Sequence, residues 1–305
     1  MSEVRVNDFV LKIGTVNGTG SASANGLLLK ALFRMGIPVT GKNLFPSNIQ
    51  GLPTWYGIRV SDKGYKSRSL RVDVLVAMNA QTYQRDMENL CPGGFLVYDS
   101  TWPRERELVR KDITVLGVPL AKLCNENFSD SRVRILMKNI AYVGVLAALL
   151  NIDTRILQTL IEETLSSKPK MIESNLKAIN LGYDYAMKNF TCPLPVRVEA
   201  MGDNSKNIMI DGNSAAALGC LYAGATVGAW YPITPSTGMM DAFKAYCKKY
   251  RIDQETGKKN YVIIQAEDEL AAAGIVLGAN WVGARAFTPT SGPGISLMSE
   301  FIGFA

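Results

Sequence analysis

Three short segments between residues 230 and 294 gather hydroxyls, carboxylates and glycines in patterns that suit work on a small polar substrate. In Trp230-Tyr-Pro-Ile-Thr-Pro-Ser-Thr237, Pro232 and Pro235 bracket Ile233-Thr234, stiffening the backbone while Thr234, Ser236 and Thr237 present hydroxyls. Such a turn can hold a substrate oxygen, or it can be a proline-rich bend with Ser236 capping the next helix. Glu267-Asp268-Glu269 follows the apolar run Tyr261-Val-Ile-Ile-Gln265 and precedes a helix of Ala, Gly and Leu. Acidic residues suit a helix N-terminus, yet three exceed what one cap needs, so at least one is expected to face inward, where a carboxylate suits proton work. Thr288-Pro-Thr-Ser-Gly-Pro-Gly294 adds further hydroxyls, with glycines that admit a ligand close to the backbone. A fourth segment, Gly14-Thr-Val-Asn-Gly18-Thr-Gly20, stands between a strand and a helix. It is either a phosphate-receiving turn or a purely structural one, because its spacing is G-x-x-x-G-x-G rather than G-x-G-x-x-G.

Other chemistry is excluded. The chain has no histidine, so a Ser-His-Asp triad, a Cys-His dyad and a histidine-ligated metal are impossible within it. Its five cysteines form no C-x-x-C pair, which argues against an iron–sulfur or structural zinc site held by this chain alone. An odd number at irregular spacing argues against a disulfide framework and for a reducing compartment. Lys and Arg exceed Asp and Glu to give a net charge of +6, but they are scattered, so protein partners or anionic small molecules are expected rather than nucleic acid. Met1-Ser-Glu-Val-Arg does not open a basic-then-apolar leader, and polar residues or glycine interrupt every apolar stretch. A soluble cytoplasmic protein with no membrane span is the expectation.

The segments need elements to position them. With 305 residues, 47% hydrophobic and 20% charged, the chain is expected to fold as two globular units. Phe9–Ile13 reads as a strand and Ala22–Met35 as a helix; strands follow at Tyr56–Val60, Val72–Ala77, Gly94–Tyr98 and Ile113–Leu116, with a helix at Gln81–Leu90. This alternation implies a mostly parallel sheet covered on both faces. From Arg132 to about Asn189 three helices are expected, beginning with Val133–Leu150, with Asp153-Thr154 as a cap and Pro169 as a start. Residues 191–205, with two prolines and no periodicity, read as a linker, giving domains 1–190 and 206–305. Alternation then restarts: a strand at Ile208–Ile210, a helix at Asn213–Gly224, a strand into Trp230-Tyr231, a helix through Met240–Tyr250, a strand at Tyr261–Gln265 and a helix at Leu270–Trp281. The three segments then converge at the carboxyl edge of one parallel sheet. Ile295–Ala305 reads as a helix with nothing after it to complete that sheet, so a truncated second domain is expected.

Taken together, Tyr231-Pro-Ile-Thr-Pro-Ser236, Glu267-Asp-Glu269 with its Ala/Gly helix, and Thr290-Ser-Gly-Pro-Gly294 with Leu297-Met298 and Glu300 resemble the α region of the 2-oxoacid:ferredoxin oxidoreductases. The segment from Val10 to about Phe190 resembles the family's γ domain, through the glycine turn, the Phe45-Pro-Ser-Asn-Ile-Gln-Gly51 loop and Tyr56-Gly-Ile-Arg-Val-Ser61, although the family's glycine pair is replaced around Val16-Asn17. The resemblance implies an α/β protein: a Rossmann-like γ domain with a helical C-terminal part, then a pyrimidine-type domain of the thiamine-diphosphate enzymes. It also implies oxidative decarboxylation of a 2-oxoacid, with the acyl group passing to coenzyme A and electrons to ferredoxin. Glu269 matches the glutamate that hydrogen-bonds the cofactor's aminopyrimidine, and Thr234 the threonine that contacts the 2-oxoacid. Ile233, Pro235, Ser291 and Gly292 are the further cofactor-binding positions. By the family pattern a separate β subunit carries the diphosphate, Mg2+ and a [4Fe-4S] cluster, in a dimer of heterodimers, and a substrate arginine is expected beyond Ala305. The Ser291–Gly294 loop resembles the 2-oxoglutarate branch; a pyruvate- or branched-chain-specific member, or a non-catalytic assembly or nucleotide-binding subunit, are the alternatives.

Overall fold

The computed structural model describes residues 4–44, 51–67, 69–102, 104, 108, 110–202, 204 and 206–305. Most of the Phe45–Gly51 loop therefore lies outside the described residues. The chain divides into two compact units, Met1–Ile208 and Met209–Ala305.

In the first unit the elements run β1 (Arg5–Val6), β2 (Asp8–Val16), α1 (Ser21–Arg34), β3 (Val39–Leu44), β4 (Pro53–Ser61), β5 (Val72–Ala77), a 3₁₀ turn at Ala80–Thr82, α2 (Tyr83–Glu88), β6 (Leu90–Asp99), β7 (Thr114–Val118), α3 (Leu120–Asn127), α4 (Ser131–Leu150), α5 (Thr154–Thr164), α6 (Pro169–Asn189) and β8 (Val196–Arg197). Six strands form one sheet in the order β3-β4-β2-β5-β6-β7. The β2, β5, β6 and β7 run is parallel, in keeping with a mostly parallel sheet, while β4 pairs antiparallel with both β2 and β3 at one side. Strand β3, Val-Thr-Gly-Lys-Asn-Leu, is largely exposed at the sheet edge and lacks the apolar signal that reveals a covered strand. Strand β5 is buried throughout because it serves two cores: Val74 and Val76 pack beneath α1 and α4, while Leu75 and Ala77 pack with Tyr83 and Leu96 on the other face.

Helix α4 dominates the larger core. The Asp130 carboxylate accepts from the Val133 amide at 2.9 Å and starts the helix, and Asn151 closes it in the left-handed conformation at φ 60°. By length and composition α4 could cross a membrane, which the sequence reading did not foresee, but 72% of its apolar window is buried inside the unit. It crosses α6 without intervening side chains. A methyl at Gly182 would strike the Ala141 carbonyl and lie 2.9 Å from the Ala141 carbonyl carbon and 3.0 Å from the Val145 amide nitrogen; one at Gly144 would strike the Ile179 carbonyl. The Asp153 cap and the Pro169 start fall where the sequence puts them.

Of the expected linker 191–205, residues 194–199 are packed into the first unit. Leu194, Val196 and Val198 are buried in the core of the first unit, the Leu194 and Val198 amides donate to the carbonyls of Leu149 and Leu150 at 2.8 Å, and β8 pairs parallel with β1. The alternation of apolar and polar residues in Pro-Val-Arg-Val-Glu is that of a short strand, which the two prolines mask. The join is clamped by Asn7: its Nδ2 donates to the Glu199 carbonyl at 2.8 Å, and the Glu199 amide donates to its Oδ1 at 3.0 Å.

In the second unit the order is α7 (Gly212–Tyr222), β9 (Val227–Trp230), α8 (Thr237–Tyr250), β10 (Val262–Gln265), α9 (Glu269–Trp281), β11 (Ala286–Phe287), α10 (Gly292–Leu297) and α11 (Ser299–Phe304). Ile208–Ile210 is not a strand, and Met298 divides the expected helix Ile295–Ala305 between α10 and α11. The three strands form a parallel sheet in the order β10-β9-β11. Phe243, Met240 and Ala217 seat α7 and α8 on it, with Phe243 edge-on to Phe287 at 4.8 Å.

Candidate active site

The parallel arrangement sends the carboxyl ends of β9, β10 and β11 to one edge of the second unit, and each hands over to one of the three chemistry-bearing segments. Gln265 pairs with Trp230, and the Ala266 amide donates to the Trp230 carbonyl at 2.8 Å, so β9 and β10 stop side by side.

After β9, the Thr234–Pro235 bond is cis. The Ile233 carbonyl gathers the turn, accepting from the Thr237 amide at 3.0 Å, the Ser236 hydroxyl at 3.0 Å and the Thr237 hydroxyl at 3.2 Å. Ser236 precedes α8, but its hydroxyl is turned back on the loop and makes no cap. Thr234 is the exposed member of the three hydroxyl residues. Asn213, in the first turn of α7, donates through Nδ2 to the Pro235 carbonyl at 2.8 Å and so ties that helix to the turn. Asn213 escaped the sequence reading; its one local sign is its place just after Asp211, the cap of α7, which accepts from the Ser214 amide at 3.0 Å and hydroxyl at 2.6 Å. These bonds hold the Asp211 carboxyl below the usual carboxylate range.

After β10 the three acidic residues separate by role. Glu267 is exposed, and Asp268 caps α9 by accepting from the Ala271 amide at 2.7 Å. Glu269 is 7% exposed, and its carboxylate makes no hydrogen bond or ion pair among the described residues. Its oxygens are not among the fully buried unpartnered atoms, so the carboxylate still meets solvent and is open to a ligand.

After β11, Ser291 precedes α10 and its carbonyl accepts from the Ile295 amide at 3.0 Å; Gly292 is the exposed first residue of that helix. Gly294 is buried, and a methyl there would strike the Thr290 hydroxyl and lie 3.0 Å from Glu269 Cγ. The third loop thus closes on the glutamate of the second. Thr288 Oγ1 and Thr290 Oγ1 are buried without a hydrogen-bond partner. Among the described residues no group of His, Cys, Asp or Glu could hold a metal ion.

The Gly14–Gly20 turn belongs to the first unit, and its glycines have local reasons. Gly18 and Gly20 adopt φ of 86° and 82°, and a methyl at Gly14 would sit 2.9 Å from Asp86 Oδ2. Asp86 is fully buried, accepting from Trp55 Nε1 at 2.7 Å and the Thr82 hydroxyl at 2.6 Å, with Lys12 Nζ at 3.3 Å.

The sequence profile described as pyruvate ferredoxin/flavodoxin oxidoreductase matches residues 10–185, and the one described as pyruvate flavodoxin/ferredoxin oxidoreductase, thiamine diP-bdg, matches residues 218–305. Subunit alpha of 2-oxoacid:ferredoxin oxidoreductase 2 of Aeropyrum pernix is 28% identical over 345 residues, covering 98% of this chain and 53% of its own length. The 2-oxoglutarate synthase subunit KorA of Methanocaldococcus jannaschii is 45% identical over 96 residues, covering 32% of this chain and 24% of its own length. A solved 2-oxoglutarate:ferredoxin oxidoreductase from Magnetococcus marinus, with 2-oxoglutarate, coenzyme A and succinyl-CoA bound, matches with a TM-score of 0.83 at 28% identity over 99% of this chain and 50% of that one. The chain spans about half the length of the curated relatives it matches. With one profile taking in more than half of its residues and another most of the second unit, the chain belongs to the family of the pyruvate and other 2-oxoacid:ferredoxin oxidoreductases.

Proposed function

We propose that this chain provides the γ and pyrimidine-binding parts of the α subunit of a cytoplasmic 2-oxoacid:ferredoxin oxidoreductase that acts on 2-oxoglutarate. The products are succinyl-CoA and CO2, with electrons passing to ferredoxin. A β subunit carries the diphosphate, its Mg2+ and a [4Fe-4S] cluster. The observation that carries the reading is Glu269: a residue 7% exposed whose carboxylate has no protein partner among the described residues, at the carboxyl edge of a parallel sheet and packed against Gly294. This setting fits an aminopyrimidine, whose ring nitrogen needs a hydrogen-bond partner and whose ring needs a flat, small-residue wall, here supplied by the Ala and Gly residues of α9. When bound, thiamine diphosphate supplies the electron sink that lets a 2-oxoacid lose CO2.

The residues of the chain then divide the work. Glu269 holds a proton at the pyrimidine nitrogen, Ile233 and Pro235 present backbone to the cofactor, and Ser291 and Gly292 border it from the third loop. Thr234, exposed at the tip of the first loop, holds the 2-oxoacid through its hydroxyl. The relatives named for 2-oxoglutarate favour that substrate. The test is a cofactor and subunit inventory of the native complex, joined to 2-oxoacid-dependent viologen reduction. Thiamine diphosphate is expected in the complex, and Glu269→Gln is expected to abolish turnover while subunit assembly persists. An intact complex without thiamine diphosphate, or a Glu269→Gln enzyme with wild-type rates, overturns the assignment; faster reduction with pyruvate or branched-chain 2-oxoacids overturns the substrate.

A further inference from the structure

The hydroxyl of Thr290 is buried and has no hydrogen-bond partner. Hydroxyls in that state are uncommon, because burial removes water without supplying a replacement. Its surroundings narrow what could satisfy it. Where a Cβ of residue 294 would stand, two side chains already crowd in: the Thr290 hydroxyl and, 3.0 Å away, Glu269 Cγ. Only a residue without a side chain lets the unpartnered donor and the glutamate pack against one backbone position. A carboxylate only accepts hydrogen bonds and a hydroxyl can donate one, so the two are chemically matched. Glutamate also has several rotatable bonds, and nothing else among the described residues fixes its head group by a hydrogen bond or ion pair.

We propose that Thr290 is a positioning residue for Glu269: a rotation of the carboxylate, unpartnered in this structure, brings one oxygen onto the Thr290 hydroxyl, which then donates to it and turns the other oxygen toward the pyrimidine nitrogen. The assignment rests on the function proposed above. Its effect is on the bound state: the hydroxyl holds the carboxylate facing the cofactor once both are in place.

The test uses the assembled complex with its partner subunits, reconstituted with thiamine diphosphate. Exchange of the cofactor's C2 proton for deuterium, followed by acid quench and NMR, reports on the glutamate without 2-oxoacid or electron transfer, and cofactor titration reports binding separately. Thr290→Val keeps the shape and removes the donor; it is expected to slow exchange by about tenfold to a hundredfold, as for loss of one hydrogen bond to a charged group. Thr290→Ala, a second variant without the hydroxyl, is expected to do the same if the valine disturbs assembly. Thr290→Ser restores the donor and is expected to exchange within about threefold of wild type, with cofactor affinity in all three within about threefold. Wild-type exchange in Thr290→Val, or a Thr290→Ser variant as slow as Thr290→Val, overturns the proposal. Glu269→Gln separates the two levels: wild-type exchange in that variant refutes the proposed function itself, whereas slow exchange there with no effect of Thr290→Val refutes only the role of Thr290.

Discussion

Replacing Gly182 by alanine tests the crossing of α4 and α6 on which the first unit is built. On helix propensity alone the change is favourable by about 1 kcal/mol. The added methyl, however, would meet backbone rather than side chain: the Ala141 carbonyl, with its carbon at 2.9 Å and the Val145 amide nitrogen at 3.0 Å. Backbone inside α4 cannot rotate away, so the helices must separate and loosen the buried residues that flank the crossing. Overpacking of this kind costs about 1–3 kcal/mol, and the upper end applies where no side chain can yield. A net loss of about 2 kcal/mol is expected, which lowers the melting point of a unit of this size by about 4–8 °C. Gly26→Ala is the matched control: it too lies inside a helix, but nothing stands within 4 Å of its added methyl, so it is expected to raise the midpoint by about 2–4 °C. Scanning calorimetry of the full chain reads both. Because Gly144 meets α6 at the same crossing, Gly144→Ala combined with Gly182→Ala is expected to cost less than the sum of the two. A Gly182→Ala protein that melts at or above Gly26→Ala refutes the close-contact argument.

Thr234→Val is expected to raise KM and lower kcat for the 2-oxoacid, and unchanged kinetics would remove Thr234 from the substrate contact. Asn213→Ala leaves the Pro235 carbonyl without its donor and is expected to lower kcat/KM by about tenfold with the melting point nearly unchanged; full activity would show that the turn keeps its shape without α7. Asp211 has a lowered folded-state pKa, chiefly from the Ser214 hydroxyl and then the Ser214 amide, so its contribution is complete above the unfolded pKa of about 4 and is lost as pH falls below it. Asp211→Asn is therefore expected to flatten the acid limb of stability below about pH 4, and an acid limb identical to wild type would exclude this cap as its source.

The three site loops were legible because each follows an apolar run and is punctuated by proline or glycine, and because Glu269 stands at the start of a helix whose small residues mark a close-packed wall. Which of the three acids turns inward was not legible from position alone: Asp268 takes the cap, and the turn of α9 that follows carries Glu269 into the interior. The sequence does not separate the three hydroxyls of the first loop, because the pairing of Ser236 and Thr237 with the Ile233 carbonyl arises only from how the turn folds. Asn213 was missed because its partner is a carbonyl 22 residues away in the chain. In the first unit, β3 was missed because an exposed edge strand need not be apolar, and β8 because its prolines look like a linker until Val196 and Val198 are seen in the core.

The clamp between Asn7 and Glu199 bears on how the protein is made. It joins residues 192 positions apart, and the strand pair beside it links Arg5 to Val196. On a ribosome, the opening strand of the first unit must wait for nearly the whole unit to emerge before it finds its partner, so closure comes late and pays the entropy of a long loop. Once closed, the unit has its entry and exit side by side. Such a module can be joined to a following coding segment at its exit without disturbing its interior, which makes it well suited to gene fusion.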